Sequence, residues 1–366
     1  MSSAHLPSAH TAPADRSQSD MKAIVFYENG GPEVLRYDTV ERPRPARGEV
    51  LIKVGAATIN RGLDVMTREG GFGLPGFSLP HVGGSDAAGE VVELGEGVET
   101  FGRGDRVVVY SPLSCGECDF CRSHQGEQHC RNLQIFGVSR WGGHAEYAAV
   151  PAQNLVRLPD GVSFAAAAAL SVSYLTAWHG LITRAHVGPD DTVLVTAAGS
   201  GVGVCAIQAC RLRGARVLAT TGAEWKQERA LELGADRVFD YRDPTWADQV
   251  LEATDGRGAT VVFDNIGGEG MADSLRCLGR AGRLVCSGAT AGHIVSLDLR
   301  RLYRDNVAFH FNAQGPKAEL QLLVDLVATG ELEPVVDTHY PLAEAPAAYE
   351  RLEQREQFGK VVLVPE

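Results

Sequence analysis

The chain has 366 residues, of which 44% are hydrophobic and 22% charged, as is typical of a soluble globular protein large enough for two domains. Its net charge of -12, without a basic run, argues against nucleic acid or an anionic membrane as the main partner. No apolar run of the sequence indicates a membrane span. Residues 1–20 are rich in Ser, Ala, Pro and His without an apolar segment, so they predict a disordered extension and not a signal peptide.

The first part of the chain, from Met21 to about residue 165, is a series of short predicted strands separated by glycine and proline. The clearest strands are predicted at 23–27, 49–56, 88–94, 106–110 and 145–150. Strands at this spacing predict a β-rich, barrel-like domain.

A dense set of cysteines lies in a loop between two of these strands. Four of the eight cysteines fall in this loop: Cys115, Cys118, Cys121 and Cys130. In a chain without a secretion signal the spacing predicts a tetrahedral zinc site, with unrelated surface thiols as the alternative. Four thiolates leave no position for water or substrate, so the expected zinc is structural. The other four lie in apolar segments and are expected to be buried, reduced thiols of a cytoplasmic protein: Cys205, Cys210, Cys277 and Cys286.

Strands and helices alternate after residue 160. Segment 163–182 predicts a pair of helices with Ser163 as the N-cap. Five strands are then predicted at 192–196, 216–220, 237–241, 260–264 and 283–287, with a sixth at 306–312. Helices are predicted at 202–213, 224–233, 245–253 and 271–278. This alternation predicts an α/β domain with a parallel, doubly wound sheet. Two amphipathic helices after residue 317 precede a strand at 360–364, which we expect to return to the first domain.

A glycine-rich turn joins the first strand of this α/β region to its helix, in TVLVTAAGSGVG. Its glycines would allow the backbone to approach phosphate, and the helix N-terminus would offer free N–H groups to the same phosphate. In this strand–turn–helix context the motif predicts a dinucleotide site, with a plain tight turn as the alternative. The residues of the turn are Gly199, Ser200, Gly201, Val202 and Gly203.

The end of the second strand bears on which dinucleotide is bound. Thr221 and Gly222 stand where an acidic residue usually bonds the ribose of NAD. A small hydroxyl followed by Lys226 suits the 2′-phosphate of NADPH, and Tyr241 could reach the same pocket. Glu224 is the competing observation, because an inward carboxylate would favour NAD. Asn265, after the fourth strand, lies where the nicotinamide end of the cofactor should run.

Several motifs together resemble the medium-chain dehydrogenase/reductase superfamily, which includes zinc alcohol dehydrogenases and quinone oxidoreductases. They are the cysteine loop, the glycine-rich turn, PHVGGSDAAGEVVELGEGV (80–98), GDRV (104–107), GGHAEY (142–147), LTAW (175–178), DNIGG (264–268) and FGKVVL (358–363). The resemblance implies a GroES-like catalytic domain over 21–165 and 316–366, with a zinc lobe at 115–130, and a Rossmann domain over 166–315. It also implies an active site in the cleft between them, cofactor contacts from Thr176 and Lys360, and a homodimer joined through the last Rossmann strand.

The departures from the family pattern concern the catalytic zinc. By resemblance, Arg61 stands in place of the first Cys ligand, Ser85 in place of the His, and the second Cys falls near Val172. These side chains are not a zinc ligand set, and the neighbouring His81 alone cannot hold the metal. We therefore expect one structural zinc and no catalytic zinc.

The zinc-free branch of this superfamily reduces activated C=C bonds or quinones with NADPH, and the segment from Asn60 to Gly70 resembles that branch. Some of its members carry a Tyr proton donor where Phe72 stands here. The candidate cleft residues are Asn60, Arg61, Tyr174 and Thr176. Arg61 could hold a developing oxyanion or form a salt bridge with Asp64 or Asp86.

Three alternatives to a small enone, enal or quinone substrate remain open. One is an NADP-dependent alcohol dehydrogenase or ketone reductase with a different set of donors. Another is a non-catalytic NADPH-binding sensor or scaffold. The third is an enoyl thioester substrate, whose phosphates would need a basic entrance such as Arg300, Arg301 and Arg304.

Overall fold

The computed structural model describes residues 19–71, 75–123 and 126–366. Two large sheets carry the architecture, one built from both ends of the chain and one from its middle. The strands in chain order are β1 Asp20–Phe26, β2 Arg36–Glu41, β3 Glu49–Thr58, β4 His81–Val82, β5 Asp86–Leu94, β6 Arg106–Val109, β7 Pro112–Leu113, β8 Gln134–Ile135, β9 Tyr147–Pro151, β10 Leu155–Arg157, β11 Thr192–Val195, β12 Arg216–Thr221, β13 Arg237–Asp240, β14 Ala259–Asp264, β15 Leu278–Cys286, β16 Ala308–Phe311, β17 Val336–Pro341 and β18 Lys360–Val364.

The helices lie mainly between the strands of the second half. In chain order they are α1 Met66–Arg68, α2 Asp119–Arg122, α3 Phe164–Ala169, α4 Leu175–Trp178, α5 Gly201–Leu212, α6 Glu224–Glu232, α7 Trp246–Ala253, α8 Met271–Arg276, α9 Leu299–Arg304, α10 Lys317–Ala328 and α11 Ala345–Glu353. Short π-helical stretches occupy Arg61–Val65, Leu170–Tyr174 and His179–Arg184, and 3₁₀ turns occupy Pro32–Val34, Glu127–His129, Ala152–Asn154 and Leu342–Glu344.

The sheet formed by the two ends of the chain has seven strands, ordered β10-β6-β5-β3-β18-β17, with β9 also paired to β3. Its pairs are antiparallel except for β17 with β18. The last strand returns from the second half as expected, with Val362 of β18 opposite Thr58 of β3. This return brings Lys360 beside the end of β3, where its Nζ lies 3.4 Å from the carbonyl oxygen of Ile59.

The second sheet has six strands in the order β13-β12-β11-β14-β15-β16, and every adjacent pair is parallel. Numbered within this sheet the order is 3-2-1-4-5-6, the doubly wound arrangement that binds dinucleotides where the order reverses. The predicted fold class, a β-rich domain with a doubly wound parallel sheet, is confirmed. The reversal lies between β11 and β14, so the cofactor site is expected outside the carboxyl ends of these strands.

The predicted helix pair at 163–182 is wrong, because Phe164–Arg184 is one continuous helix. Ser163 is its N-cap as predicted, with Oγ 3.2 Å from the N–H of Ala166. Gly180 does not break the helix but allows close packing, since a Cβ there would lie 2.6 Å from Asn312 Oδ1 and 2.8 Å from Val285 Cγ1. The helix is long and apolar enough to cross a membrane. However, 78% of its most apolar 18-residue stretch is buried inside the protein, as in a core helix.

Candidate functional site

The four loop cysteines converge on one point. Their sulfur atoms all lie within 4.8 Å of one another, and four of the pairs are 3.5 to 4.0 Å apart. Four sulfurs bound to a zinc ion at about 2.3 Å would be separated by about 3.8 Å, the edge of that tetrahedron. Backbone N–H groups of Arg131 and Cys121 lower the pKa of Cys118 to about 6, which favours the thiolate that binds metal. The donor set therefore fits a structural zinc.

The other four cysteines are buried and unpaired, as predicted: Cys205, Cys210, Cys277 and Cys286. Burial raises the pKa of each of these thiols, so they remain protonated.

The glycine-rich turn joins β11 to the N-terminus of α5. Ser200 is the N-cap of α5, and its Oγ accepts a hydrogen bond of 2.9 Å from the N–H of Gly203. A Cβ on Gly199 would lie 3.2 Å from Lys226 Cδ, and a Cβ on Gly201 would lie 2.6 Å from Lys360 Cδ. Two lysine side chains thus pack directly against the N-terminus of α5. This arrangement fits the diphosphate of a dinucleotide, which would be bound by the turn, by Val202 and by Lys360.

The end of β12 has no acidic side chain directed inward. Thr221 ends the strand and is buried, Glu224 is exposed, and Tyr241 packs against Gly222, where a Cβ would lie 3.0 Å from the ring. The Nζ atom of Lys226 lies 2.6 Å from the carbonyl oxygen of Arg355. Burial lowers the pKa of Lys226. The structure thus places the residues predicted for the adenosine end, Thr221, Lys226 and Tyr241, around one turn.

Asn265, which follows β14, forms hydrogen bonds with Thr196, which follows β11. Its Nδ2 donates to the carbonyl of Thr196 at 3.0 Å, and its N–H donates to Thr196 Oγ1 at 3.2 Å. Thr176 is buried, and its carbonyl accepts a hydrogen bond of 3.1 Å from Asn312 Nδ2. Across the described ranges the Thr176 hydroxyl makes no hydrogen bond, so it is free to contact a ligand.

A buried network lies beside the three positions that, by resemblance, correspond to ligands of a catalytic zinc: 61, 85 and 172. Residues beside the three replaced positions meet at the ammonium group of Lys360: Nζ lies 2.6 Å from Asn60 Oδ1, 3.1 Å from Asp86 Oδ2 and 3.1 Å from Ser173 Oγ. Lys360 and Asp86 are 2% and 0% exposed, so their charges neutralise each other away from water. Within the described part of the chain the cysteine lobe is the only cluster able to bind a metal.

Asn60 has no hydrogen-bonding capacity left for a substrate. Its Oδ1 accepts from Lys360 and Ser173, and its Nδ2 donates to Ser85 at 3.0 Å and Asp86 at 2.8 Å. The predicted catalytic role of Asn60 would need one of these four hydrogen bonds to break when a substrate binds. Asn60 holds the network together instead. Asp86, Ser173 and Ser85, which complete the network, were not predicted as site residues.

Arg61 makes neither of the predicted ion pairs. Its Nη1 lies 3.4 Å from the carbonyl oxygen of Glu353, and the residue is half-buried. The Asp64 carboxylate instead accepts backbone N–H groups of Asn60, Gly84 and Ser85. Asp86 pairs with Lys360. The Arg61 charge is thus without a carboxylate partner among the described residues.

The structure places Tyr174, which we predicted to line the cleft, in the core. Tyr174 is fully buried, and its hydroxyl oxygen lies 2.8 Å from the N–H of Val335 and 3.1 Å from Gln208 Nε2. The hydroxyl satisfies a buried backbone group, and burial raises the pKa of Tyr174 far above its usual value. His81 is also buried, in β4, with Nε2 3.1 Å from the carbonyl oxygen of Gly137. Phe72 lies outside the described residues.

Comparison with known proteins accounts for both halves of the chain. Residues 46–160 match the alcohol dehydrogenase GroES-like domain, and residues 233–363 match the zinc-binding dehydrogenase family. A quinone oxidoreductase of Salmonella typhimurium is 32% identical, with 93% of this chain and 99% of the relative covered. The chain belongs to the medium-chain dehydrogenase/reductase superfamily. It is therefore an oxidoreductase with a GroES-like and a Rossmann-like domain.

Two further relatives belong to different activity classes. The quinone oxidoreductase of Rattus norvegicus is 29% identical, with 95% of this chain and 98% of the relative covered. The solved structure of an NAD-dependent alcohol dehydrogenase is 40% identical with a TM-score of 0.89, and covers 94% of this chain and 99% of its own. Similarity alone therefore does not select between reduction of quinones and oxidation of alcohols.

Proposed function

We propose that this oxidoreductase uses NADPH, without a catalytic zinc, to reduce an activated C=C bond of an enone, enal or enoyl thioester, or a quinone. The observation that carries the proposal is the Lys360–Asp86 pair at the position of the catalytic metal. Asn60 and Ser173 complete the shell around the ammonium group, so the space is filled by hydrogen-bonded side chains. An alcohol or simple ketone would have no Lewis acid there to stabilise its developing alkoxide.

Different residues of the site would bind the cofactor and stabilise the charge that develops on the substrate. A bound reduced nicotinamide would supply the hydride: its C4–H bond would break, a C–H bond would form at the β-carbon, and the π electrons would move to the carbonyl oxygen. Thr176 offers a free hydroxyl, and Arg61 a cation without a carboxylate partner, as candidates to stabilise that oxyanion. Water would then protonate the α-carbon, because Tyr174 and Asn60 are engaged by the protein.

The preference for NADPH rests on the adenosine end of the site. A carboxylate that bonds the ribose of NAD would repel a 2′-phosphate. Glu224 is exposed, and Asp240, opposite Thr221 on β13, forms an ion pair of 2.6 Å with Arg242. Lys226 and Thr221 supply a cation and a hydroxyl at the same turn. Dissociation constants of NADPH and NADH, measured by quenching of protein fluorescence, test this preference directly.

The function is tested by zinc content and turnover on the same preparation. We expect one zinc per subunit, oxidation of NADPH with an enal, an enone or a quinone, and no oxidation of saturated alcohols. Two zinc ions per subunit, or alcohol oxidation as the main activity, would contradict the proposal. Cofactor binding without turnover of any of these substrates would support the sensor or scaffold alternative.

Alcohol oxidation is the second candidate function, and the 40% identical NAD-dependent alcohol dehydrogenase favours it. In this chain it would need Arg61 or Thr176 to stabilise the alkoxide without a metal. Of the basic cluster expected at the entrance for a thioester, Arg301 and Arg304 form ion pairs with Asp305, at 3.6 and 3.1 Å, and Arg300 is exposed.

We also propose a cytoplasmic homodimer. In the described sheet β16 pairs only with β15, so its outer edge is free. Phe311 on this strand is 58% exposed and Tyr303 on the preceding helix is 74% exposed. A dimer would cover such an edge. Light scattering coupled to size-exclusion chromatography should give twice the subunit mass of 39.1 kDa.

A further inference from the structure

Only one of the two carboxylate oxygens of Asp86 accepts hydrogen bonds. Its Oδ2 accepts from Thr58 Oγ1 at 2.6 Å, from Asn60 Nδ2 at 2.8 Å and from Lys360 Nζ at 3.1 Å. Its Oδ1 is buried and has no hydrogen-bond partner. A fully buried carboxylate with one unsatisfied oxygen is costly, so its charge needs an explanation beyond the hydrogen bonds it makes.

The ammonium group of Lys360 has more acceptors than protons. Besides Asn60, Asp86 and Ser173, the carbonyl oxygen of Ile59 lies 3.4 Å away. Three protons cannot serve four acceptors at once, so the ammonium group can exchange one partner without losing its full set of bonds. Its shortest contact is with the neutral amide of Asn60, and the contact with its counter-ion is longer.

The side chain of Lys360 also contacts the phosphate-binding turn. A Cβ on Gly201 would lie 2.6 Å from Lys360 Cδ and 3.0 Å from Ser173 Oγ. Nζ is two bonds beyond Cδ, so the charge of Lys360 and that of its counter-ion both act on any anion bound at this turn. Lys226, the other cation at the turn, is bonded to a backbone carbonyl and has no carboxylate partner in the described structure.

We propose that Asp86 is an internal counter-ion that competes with the cofactor's diphosphate for Lys360 and thereby weakens cofactor binding. This inference rests on the proposed use of a nicotinamide dinucleotide. Asp86 neutralises Lys360 when the turn holds no anion, and it repels the diphosphate when the cofactor binds. Weaker binding speeds release of the oxidised cofactor, and product release is the step that limits turnover in many enzymes.

The variant Asp86→Asn isolates this charge. An amide can place its oxygen where Oδ2 lies and its nitrogen where the unpartnered Oδ1 lies, so the bonds from Thr58, Asn60 and Lys360 are kept. We expect the variant to bind ADP-ribose about tenfold more tightly than the parent protein. 5′-AMP, which lacks the diphosphate, should change by less than about twofold.

The matched control is Thr58→Val, which removes a hydrogen bond to the same carboxylate and leaves its charge. Its affinity for ADP-ribose should stay within about twofold of the parent. Dissociation constants from isothermal titration calorimetry, with circular dichroism to verify folding, complete the experiment. A structural role for Asp86 predicts weaker binding in Asp86→Asn, so equal or weaker ADP-ribose binding overturns the inference. If the parent protein binds neither ADP-ribose nor NADPH, the proposed function fails as well, which is a separate result.

Discussion

Oε1 of Glu127, in the cysteine lobe, accepts a hydrogen bond of 2.8 Å from the backbone N–H of Lys317, the first residue of α10. This helix begins where the chain leaves the parallel sheet and returns to the first domain. Lys317 Nζ also bonds the carbonyl of Gln153, whose side chain holds Ser114 beside the lobe. The cysteine lobe therefore contacts Lys317 directly through Glu127 and indirectly through Ser114 and Gln153. A metal bound by the four cysteines would hold these contacts in place.

The contact between Glu127 and Lys317 should contribute measurably to stability. Glu127→Ala removes the acceptor at the start of α10, and we expect the free energy of unfolding to fall by about 1 kcal/mol. Glu117→Ala, at an exposed position of the same loop, is the control and should change it by less than about 0.5 kcal/mol. Urea unfolding measures both variants, and equal effects would show that the contact contributes nothing.

The metal itself should depend on the complete set of thiolates. Cys118→Ser should lower the zinc content from about one ion per subunit to nearly none, because a structural site needs all four ligands. Cys277→Ala, which alters a buried thiol outside the lobe, should keep the zinc. Elemental analysis of dialysed protein decides the matter, and zinc retained by Cys118→Ser would place the metal elsewhere.

The close approach at Gly201 makes the turn sensitive to a single methyl group. Gly201→Ala would place a Cβ 2.6 Å from Lys360 Cδ, so the turn or the buried lysine must shift. We expect the dissociation constant of NADPH to rise at least about tenfold, or about 1.4 kcal/mol. Gly161→Ala meets no atom within 4 Å and should leave it unchanged. Equal dissociation constants in the two variants would show that cofactor does not bind at this turn.

Removing one charge of the buried Lys360–Asp86 pair should destabilise the protein far more than removing both charges. Lys360→Met leaves Asp86 charged and unpaired in the interior, which should lower the free energy of unfolding by about 3–5 kcal/mol. Adding Asp86→Asn removes the stranded charge, so the double variant should recover most of this loss. Urea unfolding of the parent, both single variants and the double variant forms a complete cycle. A double variant as unstable as Lys360→Met would mean that packing of the lysine stem, and not its charge, stabilises this region.

Local patterns in the sequence were sufficient to predict both sheets, the cysteine lobe and the glycine-rich turn. The Lys360–Asp86 contact could not be predicted this way, because the two residues are 274 positions apart and meet only through the pairing of β18 with β3. A weak signal existed, since each charge lies in an otherwise apolar segment, Asp86 in DAAG and Lys360 in KVVL. Opposite charges in two buried strands are expected to find one another.

The helix from Phe164 to Arg184 shows a second limit. Its π-helical stretches shift the angular position of every later side chain, so an ordinary helical period cannot say which residues face the cleft. Tyr174 therefore points into the core, where its hydroxyl meets Val335, while Thr176 keeps a free hydroxyl.

Lys226 should determine the choice between the two dinucleotides. Lys226→Ala removes the cation beside Thr221, and we expect the dissociation constant of NADPH to rise about 10- to 100-fold while that of NADH changes less than about threefold. Lys53→Ala, at an exposed lysine, is the control. Burial lowers the pKa of Lys226, so its ammonium group is lost at a lower pH than that of an exposed lysine as the pH rises. NADPH affinity of the parent should therefore fall at alkaline pH more steeply than NADH affinity, and the variant should lose this difference. Parallel pH profiles for the two cofactors in the parent would exclude Lys226 as the 2′-phosphate ligand.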